Sequence, residues 1–498
     1  MPSVRLRDFP RVFWLANVME LFERAAYYGL NSVLGVYLVS ELKFDVQAVG
    51  FLQSVVYAAV YVVPILGGAL ADRYGYRRML LVAFSLLAAG YFAAGGASSY
   101  GVVFVFLLLM ALGAGLFKPI ISGTLARTTD EKTSAIGFGI YYWMINLGAF
   151  LAPFVVTWLK RGPGWRAVFT ASALYTGAMI LPTIFLFRDP ARPKDVKPLG
   201  ETLRGAADVL ADARFMLMVV VYSGFWLLYF QQFGSILWYL DDFVDKAPVN
   251  AAVNGVLGWF GIAPVFVFDA EHITVINALT IIALQIVVSW IVKERKALPT
   301  MVAGMLIGAA GMGVIAFSRG GWALVVGMVV FSLGEMTCHP KYYSLVGLVA
   351  PPDRKAVYMG YSFLYGVFGA LLGSNLGAAA YKSFLLPYKG LPGAGTRAAA
   401  FWTAFALLGV LSAAALSWVA RRCAAEAPGS ERRARRAMTV VYALLVALGA
   451  LFLAAALRGE SADFKSAVQA ALFVALGAGG LAVNLRPRRA RRSGGDRA

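Results

Sequence analysis

The chain has 498 residues, of which 60% are hydrophobic and only 14% are charged. A soluble globular protein carries about a quarter charged residues, so this composition excludes an ordinary soluble domain. The net charge of +19 is compatible with binding either nucleic acid or anionic lipid, while two cysteines are too few for a disulfide framework or a metal site.

Apolar segments close to the roughly 20 residues that a helix needs to cross a bilayer recur along the whole chain. The first one contains charges and lacks a cleavage site of small residues, so we predict that it is a membrane helix and not a signal peptide. Fourteen spans are predicted, at 12–40, 47–70, 78–96, 101–126, 135–159, 165–187, 214–240, 271–292, 298–317, 321–349, 356–381, 398–420, 437–457 and 465–485.

Lysine and arginine concentrate in the loops that lie on the same side as residues 1–11. Because cytoplasmic loops carry an excess of these residues, we predict a multi-pass protein of the inner cell membrane with both termini in the cytoplasm. The basic clusters at 432–436 and 486–492 would then face anionic headgroups, which favours lipid and not nucleic acid as the partner of the positive charge. Residues 251–268 are apolar but broken by Gly and Pro, and a crossing there would move every later basic loop outside. We therefore predict an interfacial or tucked loop at 251–268.

The polar stretch 188–213 resembles a hinge between two groups of six helices. The predicted fold is an all-α polytopic membrane protein, with two six-helix bundles and an extra C-terminal two-helix hairpin. The predicted parts are a first bundle (1–187), a cytoplasmic linker (188–213), a second bundle (214–421), a basic cytoplasmic loop (422–436), the hairpin (437–485) and a basic cytoplasmic tail (486–498).

The loop after the second predicted helix reads GGALADRYGYRR, at 67–78. Gly68 and Gly75 permit tight backbone turns, and Asp72 can lie at a helix N-terminus or pair with an arginine such as Arg73. The string resembles the G-x-L-A-D-R-x-G-R-R loop of major facilitator transporters, which implies the fold of that class and a latch between conformational states. An ordinary cytoplasmic turn with solvated charges is the alternative.

The first predicted helix carries polar and ionisable residues along one face, where each ionisable group costs about 2.5–3.5 kcal/mol in a membrane. Glu20 and Arg24 form an i,i+4 pair that partly neutralises itself. A structural ion pair is one interpretation, but the number of such groups favours a substrate or proton site. The face comprises Glu20, Glu23, Arg24, Tyr27, Tyr28 and Asn31.

Four motifs in order resemble those of the proton-dependent oligopeptide transporter family. ELFERAAYYG (20–29) resembles E-x-x-E-R-F-x-Y-Y-G, with an alanine in the Phe place, and GAGLFKP (113–119) resembles G-x-G-x-x-K-P. YYWMINLG (141–148) resembles F-Y-x-x-I-N-x-G, and GEMTCHP (334–340) resembles G-E-L-x-x-S-P, with His339 in the Ser place. The chain is therefore identified as a divergent member of this family within the major facilitator superfamily.

The resemblance implies proton-coupled import of di- and tripeptides or peptide-like zwitterions by alternating access, in a monomer that is not an enzyme and needs no cofactor beyond protons. Glu20, Glu23 and Arg24 would couple protons. Lys118 would bind the substrate carboxylate, and Glu335 in the other half would bind the amino group. The pocket would also include Tyr27, Tyr28, Asn31, Tyr61, Asn146, Gln231 and Asn277.

Elementary physics agrees with the roles of Lys118 and Glu335. A zwitterion needs a cation at one end and an anion at the other, and these two charges stand isolated in apolar segments, one in each half. For each of them, a buried charge that is paired for structural reasons is the alternative.

The chain departs from the family at several positions. Asn31 stands where the family commonly has Arg, Gln231 where it has Glu or Asp, and Ser362 where it has a pocket Trp. Losing an Arg and a carboxylate together is compensatory, since either change alone would strand a buried charge. Another small solute (an amino acid, an organic anion or a drug) and a non-transporting sensor therefore stay open. His339, four residues after Glu335, either couples protons or is a satisfied residue of its helix.

Overall fold

The computed structural model describes residues 7, 9–130, 133–189, 209–350, 355–423, 427–458 and 464–485, and its named elements are helices. The described residues within Met1–Leu199 and Val220–Ser417 form one compact unit, and those within Gly200–Val219 and Trp418–Ala498 form another. Of the predicted linker, only 188–189 and 209–213 are described, and the predicted tail 486–498 lies outside the described residues. The predicted domain boundaries stay predictions.

Six helices make up the first half of the larger unit. They are α1 (Arg11–Val36, extended by a π-helical turn at Tyr37–Glu41), α2 (Val46–Tyr74), α3 (Tyr76–Gly95), α4 (Tyr100–Thr128), α5 (Ser134–Arg161) and α6 (Trp165–Ala178, continued by Ile180–Phe185).

Six more helices form the second half, and two follow them. They are α7 (Ala213–Tyr229, a 3₁₀ turn Phe230–Phe233, then Ser235–Asp242), α8 (Glu271–Val292), α9 (Ala297–Phe317), α10 (Gly321–Val349), α11 (Lys355–Ser362 and Leu364–Ala380), α12 (Ala394–Arg422), α13 (Ser430–Arg458) and α14 (Phe464–Asn484).

Thirteen of these helices in the described residues are long and apolar enough to cross a membrane. The other one, α1, has 26 residues and therefore a length of about 39 Å, but it carries the charges noted above. The prediction of an all-α membrane fold is therefore confirmed with thirteen candidate spans, and α1 as the fourteenth membrane helix stays a prediction.

Local sequence explains how neighbouring helices begin and end. The Asp45 carboxylate caps α2 by accepting from the backbone N–H groups of Gln47 (3.1 Å) and Ala48 (3.2 Å). Gly75 has φ +95°, a conformation that L side chains rarely adopt, so a glycine is needed for the turn from α2 to α3.

Salt bridges join the two halves at the end of the molecule where α1 stops and α2 begins. The Lys160 ammonium of α5 lies 2.6 Å from an Asp269 oxygen and 2.9 Å from a Glu271 oxygen at the start of α8. At the same end Lys382, after α11, lies 2.5 Å from Asp45. These contacts close this end of the larger unit.

Hydrogen bonds from side chains to backbone carbonyls also join the two halves near this closed end. The Trp238 indole of α7 donates to the Gly35 carbonyl of α1 at 3.0 Å, and the Gln53 amide of α2 donates to the Phe233 carbonyl at 2.8 Å. A Cβ at Gly35 would lie 2.7 Å from the Phe233 oxygen, so only glycine permits this approach of α1 to α7.

The ambiguous stretch 251–268 does not form a membrane span. The helix Ala247–Trp259 has 13 residues, about 20 Å, which is too short to cross. The chain then turns back, and the Asn254 side chain both donates to and accepts from the Phe266 backbone, each at 2.9 Å. The sequence predicted a loop here that does not cross the membrane. The first half of this segment is helical, which the Gly and Pro residues did not suggest.

The smaller unit contains the helical hairpin of α13 and α14. A Cβ at Gly477 would lie 2.7 Å from the Tyr442 carbonyl oxygen, so the two backbones approach closely through a small residue. The Asn484 amide donates to the Arg435 carbonyl at 2.9 Å and to the Thr439 hydroxyl at 3.0 Å, which joins the ends of the hairpin.

Candidate functional site

A cavity of about 790 Å³ lies between the two halves of the larger unit, within the size range of small-molecule sites. Its walls come from α1, α2, α4 and α5 on one side and from α7, α8, α10 and α11 on the other. The predicted site residues that line it are Glu20, Arg24, Tyr28, Tyr61, Lys118, Asn146, Asn277 and Glu335.

The ionisable cluster of α1 is almost completely buried. Arg24 lies 3.3 Å from a Glu20 oxygen and in direct contact with Glu23, and the exposed fraction of each of the two acidic side chains is 1% or less. The guanidinium lies over the rings of Tyr27 (5.1 Å) and Tyr28 (5.9 Å), which suit a desolvated cation. One arginine thus serves two carboxylates, and a role of the cluster in proton coupling stays a prediction.

Three predicted residues of α1 do not line the cavity. Glu23 is paired with Arg24, and the Tyr27 ring packs against the same guanidinium. Asn31 is fully buried, and its amide nitrogen donates to the Tyr27 carbonyl at 2.8 Å. A substrate role for Tyr27 and Asn31, and a proton role for Glu23, stay predictions.

Gln231 also faces away from the cavity. Its amide nitrogen donates to the carbonyls of Leu227 (2.8 Å) and Gly373 (3.0 Å), and its oxygen accepts from the Ser235 hydroxyl at 2.9 Å. A Cβ at Gly377 would come within 2.2 Å of that oxygen. The amide therefore joins α7 to α11, and its assignment to the substrate stays a prediction.

Lys118 is held in the first half by the close packing of α4. A Cβ at Gly113 would lie 2.8 Å from the Ala83 carbonyl oxygen, and one at Gly115 would lie 2.5 Å from the Val63 side chain, so both glycines of the motif are needed there. The Lys118 ammonium lies 4.9 Å from the centre of the Tyr61 ring, and within the described residues no carboxylate forms an ion pair with it. It also acts electrostatically on the α1 cluster.

Glu335 is the corresponding charge of the second half. One of its oxygens accepts from the Asn277 amide at 3.0 Å, and in the described part of the chain no cation pairs with it. A Cβ at Gly334 would lie 2.5 Å from the Gly308 nitrogen, so α10 packs directly on α9 beside the carboxylate. The second carboxylate oxygen remains available to a ligand.

Asn146 lies where α5 packs on α1. Its amide donates to the Tyr142 carbonyl at 2.8 Å, which leaves its oxygen toward the cavity side. A Cβ at Gly148 would lie 2.9 Å from the Leu21 carbonyl oxygen and 3.0 Å from the Ala25 nitrogen. The glycine of this motif therefore brings α5 against α1.

The predicted conformational loop has a definite ion pair. Asp72 accepts from Arg127, at the end of α4, at 2.7 Å, whereas Arg73 is exposed and lies beside the Tyr74 ring. Gly68 lies near Pro119, and Gly75 makes the turn described above. The described partners of Asp72 belong to the first half, and a latching role for the loop stays a prediction.

Sequence reasoning missed part of the wall that α7 forms. Trp226, Tyr229 and Gln232 line the cavity, and the Gln232 amide nitrogen is buried with no hydrogen-bond partner among the described residues. Their spacing of three residues marks one helical face, and Gln231 is rotated by about 120° from Gln232 within the 3₁₀ turn. That spacing was the signal that could have identified them. His339 of α10, for which the sequence left two interpretations, also lines the cavity.

A family model described as Major Facilitator Superfamily matches residues 16–374. The chain is 31% identical over 236 residues to Dipeptide and tripeptide permease A of Citrobacter koseri (strain ATCC BAA-895 / CDC 4225-83 / SGSC4696), covering 46% of each protein. It is 32% identical over 231 residues to Dipeptide and tripeptide permease A of Escherichia coli (strain K12), covering 43% of this chain and 46% of that one. The chain thus spans about half the length of the curated relatives that it matches.

Solved structures resemble this one over most of its length. A crystal structure of peptide transporter POT in complex with sulfate superposes with a TM-score of 0.68 at 20% identity, covering 85% of this chain and 96% of that one. A crystal structure of a POT family transporter in complex with 5-aminolevulinic acid gives a TM-score of 0.66 at 19% identity, covering 83% and 96%. At such identities the likeness establishes the fold.

Proposed function

Because this chain belongs to the Major Facilitator Superfamily, we propose that it imports di- and tripeptides, or zwitterions that resemble them, together with protons. The superfamily consists of secondary transporters and not of enzymes. The relatives named dipeptide and tripeptide permease support peptides as the substrate class.

The carrying observation is a pair of opposite charges across one cavity. Lys118 and Glu335 come from different halves, both line the cavity, and neither has an oppositely charged partner within 4 Å in the described residues. An unpaired charge in a low-dielectric site is costly. A zwitterion satisfies both charges at once, with its carboxylate at Lys118 and its ammonium at Glu335.

The α1 cluster supports proton coupling. When Glu20 and Glu23 are both ionised, Arg24 neutralises only one of them, and the excess negative charge attracts Lys118. A proton on either acid removes that attraction and frees Lys118 for the substrate carboxylate. Proton binding and substrate binding would then favour each other.

The closed end supports alternating access. The contacts of Lys160 with Asp269 and Glu271 join the halves at one end, and the cavity residues extend the other way, to Gln285 and Ser289 of α8. The positions of the basic loops favour an orientation in which the closed end faces outward and both termini lie on the cytoplasmic side of the inner membrane. Import requires the two halves to rock around the central site as the outer contacts break and re-form.

Uptake of labelled dialanine into proteoliposomes, with and without an imposed proton gradient, tests the proposal. We expect uptake to rise with the gradient and to fall with excess unlabelled tripeptide. Binding or exchange that ignores the gradient would instead indicate a facilitator or a sensor. No response to any peptide would reject peptides and direct the search to other small zwitterions and anions.

A further inference from the structure

We propose that His339, oriented by the buried Tyr222 behind it, forms a side-chain subsite of the cavity that prefers peptides whose first side chain carries an acceptor oxygen at the end of a flat or apolar stem. This inference rests on the proposed function, because it assumes that the amino group of a peptide lies at Glu335. It assigns to His339 a role in substrate selection, in place of the two interpretations that the sequence left open.

Position supports the assignment. His339 follows Glu335 by four residues, so it lies one turn further along the same face of α10, about 6 Å away. Both residues line the cavity. The first side chain of a peptide is attached to the carbon that carries the amino group, so a peptide anchored at Glu335 brings that side chain within reach of the imidazole.

The walls around the imidazole are aromatic. The ring centre of His339 lies 4.9 Å from that of Tyr343, 5.0 Å from that of Trp226 and 5.6 Å from that of Tyr365. These three residues also line the cavity. Such walls favour apolar and planar groups, and the imidazole is the polar group at their centre.

We assign the imidazole proton from the hydrogen bonds that surround Tyr222. The Tyr222 hydroxyl lies 2.9 Å from His339 Nδ1 and 3.9 Å from the Cys338 sulfur, while the Cys338 thiol donates to the Glu335 carbonyl at 3.8 Å. Because the thiol proton is already used, the tyrosine proton goes to the stronger and closer acceptor, which is Nδ1. The neutral imidazole therefore carries its own proton on Nε2.

Nε2 is the atom that a ligand can reach. It has no partner in the described part of the protein, and it is not among the buried side-chain nitrogens that are sealed from solvent. The subsite thus presents one N–H donor between aromatic walls. A phenol oxygen or a side-chain amide oxygen satisfies this donor, whereas a phenylalanine ring fills the same space and leaves it unsatisfied.

Binding of three matched dipeptides to the purified full-length protein tests the subsite independently of transport. The dipeptides are Tyr-Ala, O-methyltyrosyl-Ala, which can only accept at that oxygen, and Phe-Ala. We expect the first two to bind the wild type about three- to tenfold more tightly than Phe-Ala, the worth of one net hydrogen bond. His339→Phe should bring the ratio close to one, and His339→Gln, which keeps an N–H donor, should restore part of it.

Tyr222→Phe removes only the hydroxyl that orients the imidazole proton and should reduce the ratio. The matched control is Tyr342→Phe, because Tyr342 stacks on Tyr222 at 4.1 Å but its hydroxyl donates to the Ser362 carbonyl. This control should keep the wild-type ratio.

The outcomes separate this inference from the proposed function. Equal affinities of the wild type for Tyr-Ala and Phe-Ala, or an unchanged ratio in His339→Phe, would overturn the subsite even if gradient-driven uptake occurs. The expected ratios without gradient-driven uptake would support the subsite and reject the symporter. A wild type that binds none of the three dipeptides would overturn both.

Discussion

The two halves of the cavity solve the problem of buried charge differently. In the first half, Glu20, Arg24 and Lys118 contribute three charged groups, two of which pair with each other. In the second half, Glu335 is the lining carboxylate, Asn277 donates to it, and Gln232 is a further neutral amide of the same cavity wall. A group of coupled charges can exchange a proton, whereas a single carboxylate among amides is suited to holding an ammonium. From this difference we expect proton handling in the first half and recognition of the substrate amino group in the second.

Two positions where the resembling family has charged residues are neutral in this chain and also differ from the charged cluster of the first half. Asn31 and Gln231 stand where the resembling family has charged residues, and both use their amide nitrogens on backbone carbonyls. Neither lines the cavity. In the described residues these two positions thus carry no ion pair between the halves, and salt bridges between the halves occur at Lys160 and Lys382.

The largest expected effect comes from removing the free cation of the first half. Lys118→Ala should abolish gradient-driven peptide uptake, because the substrate carboxylate loses its partner and the α1 cluster loses the cation that responds to its proton. The measurement is dialanine uptake into proteoliposomes under an imposed proton gradient.

Lys341→Ala is the matched control for that variant. The Lys341 ammonium donates to the carbonyls of Lys293 (3.2 Å) and Arg295 (2.9 Å) and does not line the cavity. We expect this control to retain uptake. Full gradient-driven uptake by Lys118→Ala would reject the assignment of Lys118.

A smaller effect is expected from restoring charge to the second half. Gln231→Glu removes the amide nitrogen that donates to two backbone carbonyls and places a carboxylate oxygen against them. Each group that is left unsatisfied costs roughly 1–3 kcal/mol. The variant should unfold several degrees lower and transport more slowly. Adding Asn31→Arg should recover part of both losses, because the new acid then has a cation with which to pair.

Thermal unfolding and dialanine uptake of the single and double variants measure this coupling. Gln47→Glu is the control, because Gln47 lies in the first turn of α2, where an added negative charge is favourable. Additive losses in the double variant would show that positions 31 and 231 do not compensate each other.

The smallest expected effect concerns the contacts where the halves meet. Lys160→Ala leaves the fully buried Glu271 without a cation and should shift the population toward opening at the closed end, by about 1 kcal/mol or more. Spin labels at Ser98→Cys and Ser383→Cys, with the two native cysteines replaced, would report this as a longer distance. Lys389→Ala is the control, because Lys389 pairs with Asp242 inside the second half.

The pH dependence of this contact follows from Asp269. Burial would raise the pKa of Asp269, but Lys160 and the Ala270 N–H hold it below its ordinary value of 3.8. When the pKa of an acid is lower in the folded state than in the unfolded state, its ionised form stabilises the folded state at pH values above the unfolded pKa. This contribution is lost as the pH falls through the pKa of the folded state. The difference in distance between wild type and Lys160→Ala should therefore be constant from about pH 5 to 8 and shrink in stronger acid. A difference that vanished near pH 6 would contradict the assignment.

Much of the site could be predicted because membrane helices make buried charge conspicuous. Lys118 and Glu335 stand out against apolar neighbours, and the structure places both at one cavity. On α7 the structure differs from the motif: Gln231, which was chosen by its place in the motif, packs against α11, and Gln232 lines the cavity. One residue along the 3₁₀ turn is a rotation of about 120°, which is enough to turn a side chain from a cavity to a packed interface.

The sequence by itself determined the membrane helices, the two halves and the isolated charges, because length, hydropathy and the cost of charge in lipid act locally along the chain. Only the tertiary structure decided the partners. Asp72 pairs with Arg127, Lys160 joins Asp269 and Glu271, and Tyr222 orients His339. These contacts connect residues that are between 55 and 117 positions apart or lie in different halves, and no local pattern encodes which of several possible partners a side chain reaches. Close packing of helices at glycines selects them, since it determines which faces meet.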